Sequence, residues 1–356
     1  MGENIMRQKQ LYLPNGYLDF SQVIDNDYPI TFVIGGRGTG KTYGALAAVK
    51  DAYEQTGHPY IYMRRTAKQA EIIATQVFNP YKPINNDTGS CIEPFGIIKG
   101  VSGFYRSEVD EDGKRHPVGG YYGVIAALST FSNFRGFDGV DFDICIYDEF
   151  IKNAGEKSIK DEAYALKNVY ETVNRNRELQ GRPALKLICL SNSNAIDNDI
   201  FIGFEVVENA EFMIKRNKNQ YYDDKRGIAI YNLTDSPISE AKRHTALYKA
   251  DADSEYTQMA LSNKYADYDL SYIKSMPLKE FKPVCRVGEI SIYRHKAESV
   301  LYVTYHKMGT CDEYGTDKIE LSRFIRRYGH LWESYLNQRV YFESFVVKKV
   351  FEKFFT

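Results

Sequence analysis

"FVIGGRGTGKTYGA", residues 32–45, decides the fold. An apolar run enters a loop of four glycines, a lysine and a threonine, and leaves it in an Ala/Leu/Val-rich segment. Gly35, Gly36, Arg37, Gly38, Thr39, Gly40, Lys41 and Thr42 satisfy G-x-x-x-x-G-K-[ST], with the strand before and the helix after that the pattern requires. Glycines let backbone N–H groups turn inward around phosphate oxygens with no Cβ in the way. A helix starting near Lys41 adds the positive end of its dipole. Lys41 can reach the β- and γ-phosphates, and the Thr42 hydroxyl can ligate Mg²⁺, so ATP with Mg²⁺ is the expected occupant. The competing reading, a glycine-rich βα turn with an accidental lysine, has to account for both the motif and its setting.

Working outward, residues 30–34, 59–63, 123–128, 143–147 and 185–190 are short apolar runs bounded by Gly, Pro or Asp. Such runs suit parallel strands covered on both faces. Residues 42–53, 66–78 and 160–178 have helical spacing, and the alternation predicts an α/β fold with right-handed crossovers. Residues 96–98 and 103–107, with the turn cluster Asp110, Glu111, Asp112, Gly113, predict an antiparallel hairpin on the edge of that sheet. Beyond Asn198 the pattern changes. Residues 212–214 and 228–231 read as strands, 239–267 as exposed helices, and 288–291 and 300–306 as strands of a small α+β domain broken off by Pro277 and Pro283. The tail from Lys318 predicts two amphipathic helices bent near Gly329. The expected organisation is an ATPase domain over 1–235, a helical linker over 236–270 and a C-terminal domain over 271–356.

The run 143–147 ends in Asp148 and Glu149. In a nucleotide-binding α/β sheet, ligands sit at the C-terminal strand edge. Asp148 would face the magnesium there, and Glu149 would polarise the attacking water as general base. The run 187–190 ends in Ser191 and Asn192. In ATPases of the ASCE type, a strand between the phosphate-loop strand and the acidic strand carries a polar residue that senses the γ-phosphate, and Asn192 or Ser191 fits that part. Arg175 and Arg177 follow the helix before this strand; either could stabilise transition-state charge at a neighbour's γ-phosphate, or complement its own helix dipole. Arg135, in the loop ahead of the acidic strand, could touch phosphate of ATP or DNA. Arg64 and Arg65 close a strand on the nucleotide side.

Composition narrows the field. The 356 residues point to two domains, and the net charge of −1 excludes a whole-molecule basic field. Five scattered cysteines with no C-x-x-C pair read as free thiols. The N-terminus lacks the apolar core of a signal peptide, and no apolar run approaches a membrane span. The 29 tyrosines read as compositional bias with a strand-rich surface.

Four stretches, "FVIGGRGTGKTY", "YIYMRRT", "ICIYDEFI" and "VNRNRELQGRPALKLICLSN", occur in the order and spacing of one family, with "SEYTQMALSN" as a fifth. Over residues 30–263 the chain resembles the genome-packaging motor ATPases of small podoviruses of the Picovirinae type, distant relatives of terminase large subunits. The resemblance implies a P-loop ASCE ATPase, with a mostly parallel central sheet, that drives double-stranded DNA into a procapsid. It implies a homo-oligomeric ring, expected to be a pentamer, at the portal or connector, with an RNA or protein adaptor as a further partner, in the host bacterial cytoplasm and without a membrane. Carried over, Lys41 and Thr42 bind phosphate and magnesium, Asp148 the metal, and Glu149 activates water. Arg175 falls where the family has its trans-acting arginine, which raises it above Arg177. Arg135 falls at a basic position of trans contacts, and Lys68 lies one place beyond a family lysine. The resemblance also implies a C-terminal domain like an RNase H-type nuclease without its metal site. Residues 288–291 and 300–306 offer only Glu289, where a two-metal nuclease needs converging carboxylates. From Glu320 onward seven Arg/Lys stand against four Glu, which suits portal or nucleic-acid contact and equally a solvated helix face. A small-molecule P-loop kinase, a strand-separating translocase and an ATP-binding scaffold are the alternatives.

Overall fold

Continuous apolar runs can be strands only where both faces are covered, and β1 (Ile30–Gly35) is buried from its second residue to its last. The computed structural model describes residues 11–134, 139–152, 155–192, 195–234, 236–252, 254, 257, 260–261 and 270–355. Around β1 it assembles β2 (Tyr60–Arg64), β3 (Ile92–Ile98), β4 (Val101–Val109), β5 (Arg115–Ala127), β6 (Ile144–Asp148), β7 (Lys186–Ser191), β8 (Gln220–Asp223) and β9 (Ile228–Leu233). These form one sheet in the order β3-β4-β5-β2-β6-β7-β1-β9-β8. The six strands from β5 to β9 in that order pair parallel; β3, β4 and β8 add antiparallel edges. Strand β7 therefore lies between β1 and β6.

Register fixes what meets at the sheet edge. Val33 pairs with Leu190, Leu190 with Asp148, and Tyr147 with Met63. The C-terminal ends of β1, β2, β6 and β7 are thus level, and the segments leaving them converge. The helix Lys41–Thr56 descends from this edge, and the helix Glu162–Asn174 returns the chain after β6. One face of β1 packs Phe32 against Phe150 and Phe201, with ring centroids 5.7 and 5.3 Å apart. Burying each such ring contributes about 1.5–3 kcal/mol. Only Gly123–Ala127 of β5 pairs with β2, so its N-terminal part runs on with β4 as a long hairpin closed by the turn at Asp110–Lys114.

The chain divides into two compact units, Met1–Phe204 with Asn209–Ala266, and Glu205–Glu208 with Asp267–Thr356. The helices Pro237–Lys242 and Ala246–Ala250, in the expected linker, belong to the first unit. The second unit has its own sheet, in the order β13-β10-β11-β12-β14, from β10 (Phe281–Val287), β11 (Ile290–His295), β12 (Leu301–Thr304), β13 (Asp312–Tyr314) and β14 (Val340–Phe342). The three middle strands are antiparallel, the two edges parallel to their neighbours. Phe281, Tyr293 and Tyr302 form one buried cluster within it. Among the described residues no helix is long and apolar enough to cross a membrane.

Four sequence expectations need correction. Residues 212–214 belong to the helix Val207–Lys215, whose buried Val207, Ala210 and Met213 recur every third residue. Pro283 does not end structure but lies inside β10, where the pairing with β11 slips, a place that tolerates a missing N–H. The tail holds more than two helices: after Lys318–Tyr328 and His330–Leu336 come β14 and the helix Phe345–Lys353. Finally, Tyr60, Tyr62, Tyr81, Tyr147 and Tyr231 are buried, not surface bias. A buried phenol needs a partner: Tyr60 meets Tyr81 at 2.6 Å, and Tyr147 donates to Glu162 at 3.0 Å.

Candidate active site

The loop after β1 closes into a helix N-terminus. Gly40 caps the helix Lys41–Thr56 at φ 90°, a conformation open to glycine and strained for other residues. Lys41 is only 5 % exposed, and its ammonium folds back onto its own loop, donating to Gly35 O at 2.7 Å, Gly36 O at 2.9 Å and Thr39 Oγ1 at 3.2 Å. Thr39 in turn donates to Gly36 O at 3.0 Å. Burial, helped by Lys242, outweighs the pull of Asp148 and Glu149 and lowers the Lys41 ammonium to about 7. Arg37 is exposed at the loop's apex.

Across the sheet edge, Thr42 Oγ1 donates to Asp148 Oδ2 at 3.1 Å. The same carboxylate oxygen accepts from Tyr62 OH at 2.6 Å and Arg64 Nη1 at 3.1 Å. Tyr62 and Arg64 are two apart on β2, so the strand's period places both on one face. Arg64 Nη2 lies 3.1 Å from Glu149 Oε2, and Asn192 Nδ2 donates to Glu149 Oε1 at 3.2 Å. Burial disfavours the Arg64 charge, but Asp148, Tyr62 and Glu149 outweigh it and hold its pKa above the ordinary value. Its Nε is buried with no hydrogen-bond partner among the described residues. Glu149 has φ 57°, a left-handed conformation that costs a non-glycine residue about 1–2 kcal/mol. A hydroxyl and one carboxylate, both hard oxygen donors, fit a magnesium ion, which keeps several waters and takes its other ligands from phosphate.

Arg65, on the opposite face of β2, is fully buried. It grips Glu162 through Nε at 2.8 Å and Nη2 at 2.9 Å, and Glu156 through Nη1 at 2.6 Å. This arginine fastens the helix Glu162–Asn174 to the sheet through Glu162 and is not paired with Asp148 or Glu149 among the described residues.

Arg175 and Arg177 leave that helix at the other edge of the sheet. Asn174 Oδ1 accepts from Leu185 N at 2.8 Å, and Arg177 Nη1 donates to Phe142 O at 2.5 Å; both partners precede the first residues of their strands. The length of β6, about 16 Å at 3.3 Å per residue, separates this edge from Asp148. Arg177 is 3 % exposed and pairs with Asp143. Arg175 is exposed, at φ 42°. Lys68 is exposed in the first turn of the helix Ala67–Ile73, which Thr66 and Gln69 cap reciprocally. Arg135 lies outside the described residues.

A cavity of about 1190 Å³ opens beside the phosphate loop, lined among others by Leu13, Tyr17, Phe20, Arg37, Lys41 and Lys242. Tyr17 covers Gly40, and Leu18 N donates to Thr39 O at 3.0 Å, so the segment before β1 walls the loop. Three residues of the site, Tyr62, Tyr17 and Lys242, escaped the sequence reading. Tyr62 was signalled by its spacing from Arg64; Tyr17 and Lys242 had no signal, since only tertiary folding brings them to the loop.

Residues 8–307 match the family model of the podovirus DNA encapsidation protein (Gp16). The DNA packaging protein of Bacillus phage phi29 is 26 % identical over 263 residues, covering 73 % of this chain and 67 % of that one. The DNA packaging protein of Bacillus phage B103 is 24 % identical over 343 residues, covering 92 % and 97 %. A chain of the bacteriophage phi29 viral genome packaging motor assembly shares the fold, with a TM-score of 0.67 and 22 % identity over 97 % of this chain and 99 % of that one. With its family model matched over most of its length, the chain belongs to the podovirus DNA encapsidation protein (Gp16) family.

Proposed function

We propose that this chain is an ATP-hydrolysing motor that translocates double-stranded viral DNA into a procapsid. The observation that carries the proposal is the convergence of Lys41, Thr42, Asp148, Glu149 and Asn192 at one sheet edge, in a family of DNA encapsidation proteins. Phosphates of ATP replace the loop carbonyls as partners of Lys41 and take up the backbone N–H groups at the start of its helix. Thr42 and Asp148 would hold Mg²⁺, which neutralises charge on the β- and γ-phosphates when bound. Glu149 accepts the proton of the attacking water, and Asn192 fixes the orientation of its carboxylate.

Arg64 occupies both carboxylates, so it has to withdraw before Asp148 can meet a metal and Glu149 a proton. Arg175 is exposed and sits about a strand's length from its own phosphate loop, and its Nε donates to Thr172 O at 3.2 Å; in a homo-oligomeric ring, with five subunits the expected number, it would meet a neighbour's γ-phosphate. Such a ring also concentrates few basic residues per chain into a pore, and contacts from Lys68 and Arg135 would be to phosphate without base reading. We assign the ATPase to residues 1–235, the helical linker to 236–270 and a docking domain to 271–356. That last domain would meet the portal or connector, directly or through an RNA or protein adaptor, at the portal vertex in the host bacterial cytoplasm. No nuclease activity is expected of it.

The test is packaging itself. Purified protein, portal-bearing procapsids, double-stranded DNA and ATP with Mg²⁺ should release phosphate and leave DNA inside the shell, protected from nuclease. Phosphate release without protected DNA would refute the motor reading, and no release would refute the ATPase.

A further inference from the structure

The helix Pro237–Lys242 is seated on the phosphate loop. Ser236 Oγ donates to Gly16 O at 3.2 Å, and a Cβ at Gly16 would lie 3.0 Å from Ile238 N, which fixes the helix start against the segment before β1. A Cβ at Gly36 would stand 2.5 Å from Ala260 O and 3.8 Å from Ser239 Oγ. At the helix end, Lys242 Nζ donates to Arg37 O and lies so close over Gly38 that a Cβ there would collide with the ammonium. Gly36 is therefore required by the approach of the Ala260 backbone, and Gly38 lies under the flexible end of Lys242.

Lys242 and Lys41 line the same cavity, and among the described residues neither is ion-paired with a carboxylate. Each ammonium is satisfied by carbonyls of the loop, Lys41 by Gly35 and Gly36, Lys242 by Arg37. Two like charges lining one cavity repel. A polyanion in that cavity relieves the repulsion and gives both ammoniums better acceptors than neutral carbonyls. Lys41 reaches the β- and γ-phosphates. The Lys242 ammonium approaches Arg37 and Gly38 of the same loop.

Resting on the reading that the loop binds ATP, we propose that Lys242 is a second phosphate ligand, which leaves Arg37 O for the terminal phosphate of a bound nucleoside triphosphate and so pulls on the helix Pro237–Lys242. The site would then report triphosphate against diphosphate to the segment that follows the ATPase sheet.

The experiment titrates full-length protein with fluorescent derivatives of ADP and of a non-hydrolysable ATP analogue, in Mg²⁺. The Lys242→Met chain should lose about 10- to 100-fold in triphosphate affinity, the loss of one charge-assisted hydrogen bond, and change little toward the diphosphate. Lys242→Arg should restore most of the difference. Limited proteolysis supplies a second readout: triphosphate should alter cleavage within residues 236–261 in the wild-type chain and not in Lys242→Met. Should Lys242→Met fail to fold, Lys242→Gln replaces it in both measurements. Equal triphosphate affinities for wild type and variant would overturn this inference and leave the ATPase reading standing. A parallel loss for triphosphate and diphosphate would overturn the terminal-phosphate assignment. A wild-type chain that binds neither nucleotide would overturn the ATPase reading and this inference together.

Discussion

Strand β6 is flanked by an aspartate at each end, and the two are built differently. Asp148 is 5 % exposed and accepts from Thr42, Tyr62 and Arg64; Asp143 is 38 % exposed and is held by His58, Arg177 and Arg182. The more buried carboxylate is the one proposed to do chemistry. Its partners are a hydroxyl already beside the phosphate loop, a phenol and the guanidinium of Arg64. Asp143 is tied to Arg177, whose Nη1 donates to Phe142 O and whose Nε, like that of Arg64, is buried without a hydrogen-bond partner among the described residues; what sets Asp148 apart is the phosphate loop beside it. Chain direction makes the difference: a parallel sheet gathers its loops at the C-terminal edge, and the same residue type at the opposite edge becomes a clamp.

The arginines at that clamp sharpen the contrast. In assembled rings on procapsids, Arg175→Ala should lower ATP turnover by about 10³-fold or more, the effect of removing a charge from the transition state. Its own fold should be unchanged within about 0.5 kcal/mol, as for an exposed position. A turnover close to wild type would move Arg175 from the site to the surface. Glu149→Gln should lower turnover by about 10²- to 10⁴-fold and leave nucleotide affinity intact, since the amide keeps the shape and loses the base. Rapid-quench phosphate release and nucleotide titration measure the two effects separately. Arg177→Met should do the reverse of Arg175→Ala. It removes a buried guanidinium that bonds Phe142 O and Asp143, and urea denaturation should show a loss of about 2–3 kcal/mol, toward the low end for broken buried pairs because Asp143 is partly solvated.

The smallest effect is a pH dependence. Burial alone would raise the Asp143 carboxyl, but hydrogen bonds from His58 and Arg177 outweigh it and hold it below its ordinary value of 3.8. A depressed folded-state pKa contributes stability that is complete above about 3.8 and disappears as pH falls through the lower, folded value. Asp143→Asn should therefore flatten the fall in melting temperature between about pH 5 and pH 2. An unchanged acid limb would show that the clamp is not electrostatic.

Sequence alone made one edge of the molecule readable and left the other ambiguous. The phosphate loop, Asp148, Glu149 and Asn192 are visible because each ends an apolar strand, and register then brings strand ends together. Arg175 and Arg177 are two residues apart after one helix, and spacing cannot tell which is buried; the carbonyl of Phe142 decides it. Tyr62 reads as core until its i, i+2 relation to Arg64 is set against Asp148. Lys242 is far from the loop in sequence, and no local pattern announces its approach to Gly38. In the second unit, a proline in β10 and the brevity of β14 obscured strands that tertiary pairing holds in place.

The central claim is that hydrolysis at the Asp148 end of one subunit is completed by Arg175 from the opposite edge of its neighbour. The most direct measurement mixes Arg175→Ala chains with Glu149→Gln chains on portal-bearing procapsids and follows phosphate release. An Arg175→Ala site keeps its base and can receive the arginine of a Glu149→Gln neighbour, so the mixture should exceed the summed rates of the two separate variants severalfold. A mixture no faster than that sum would contradict the account.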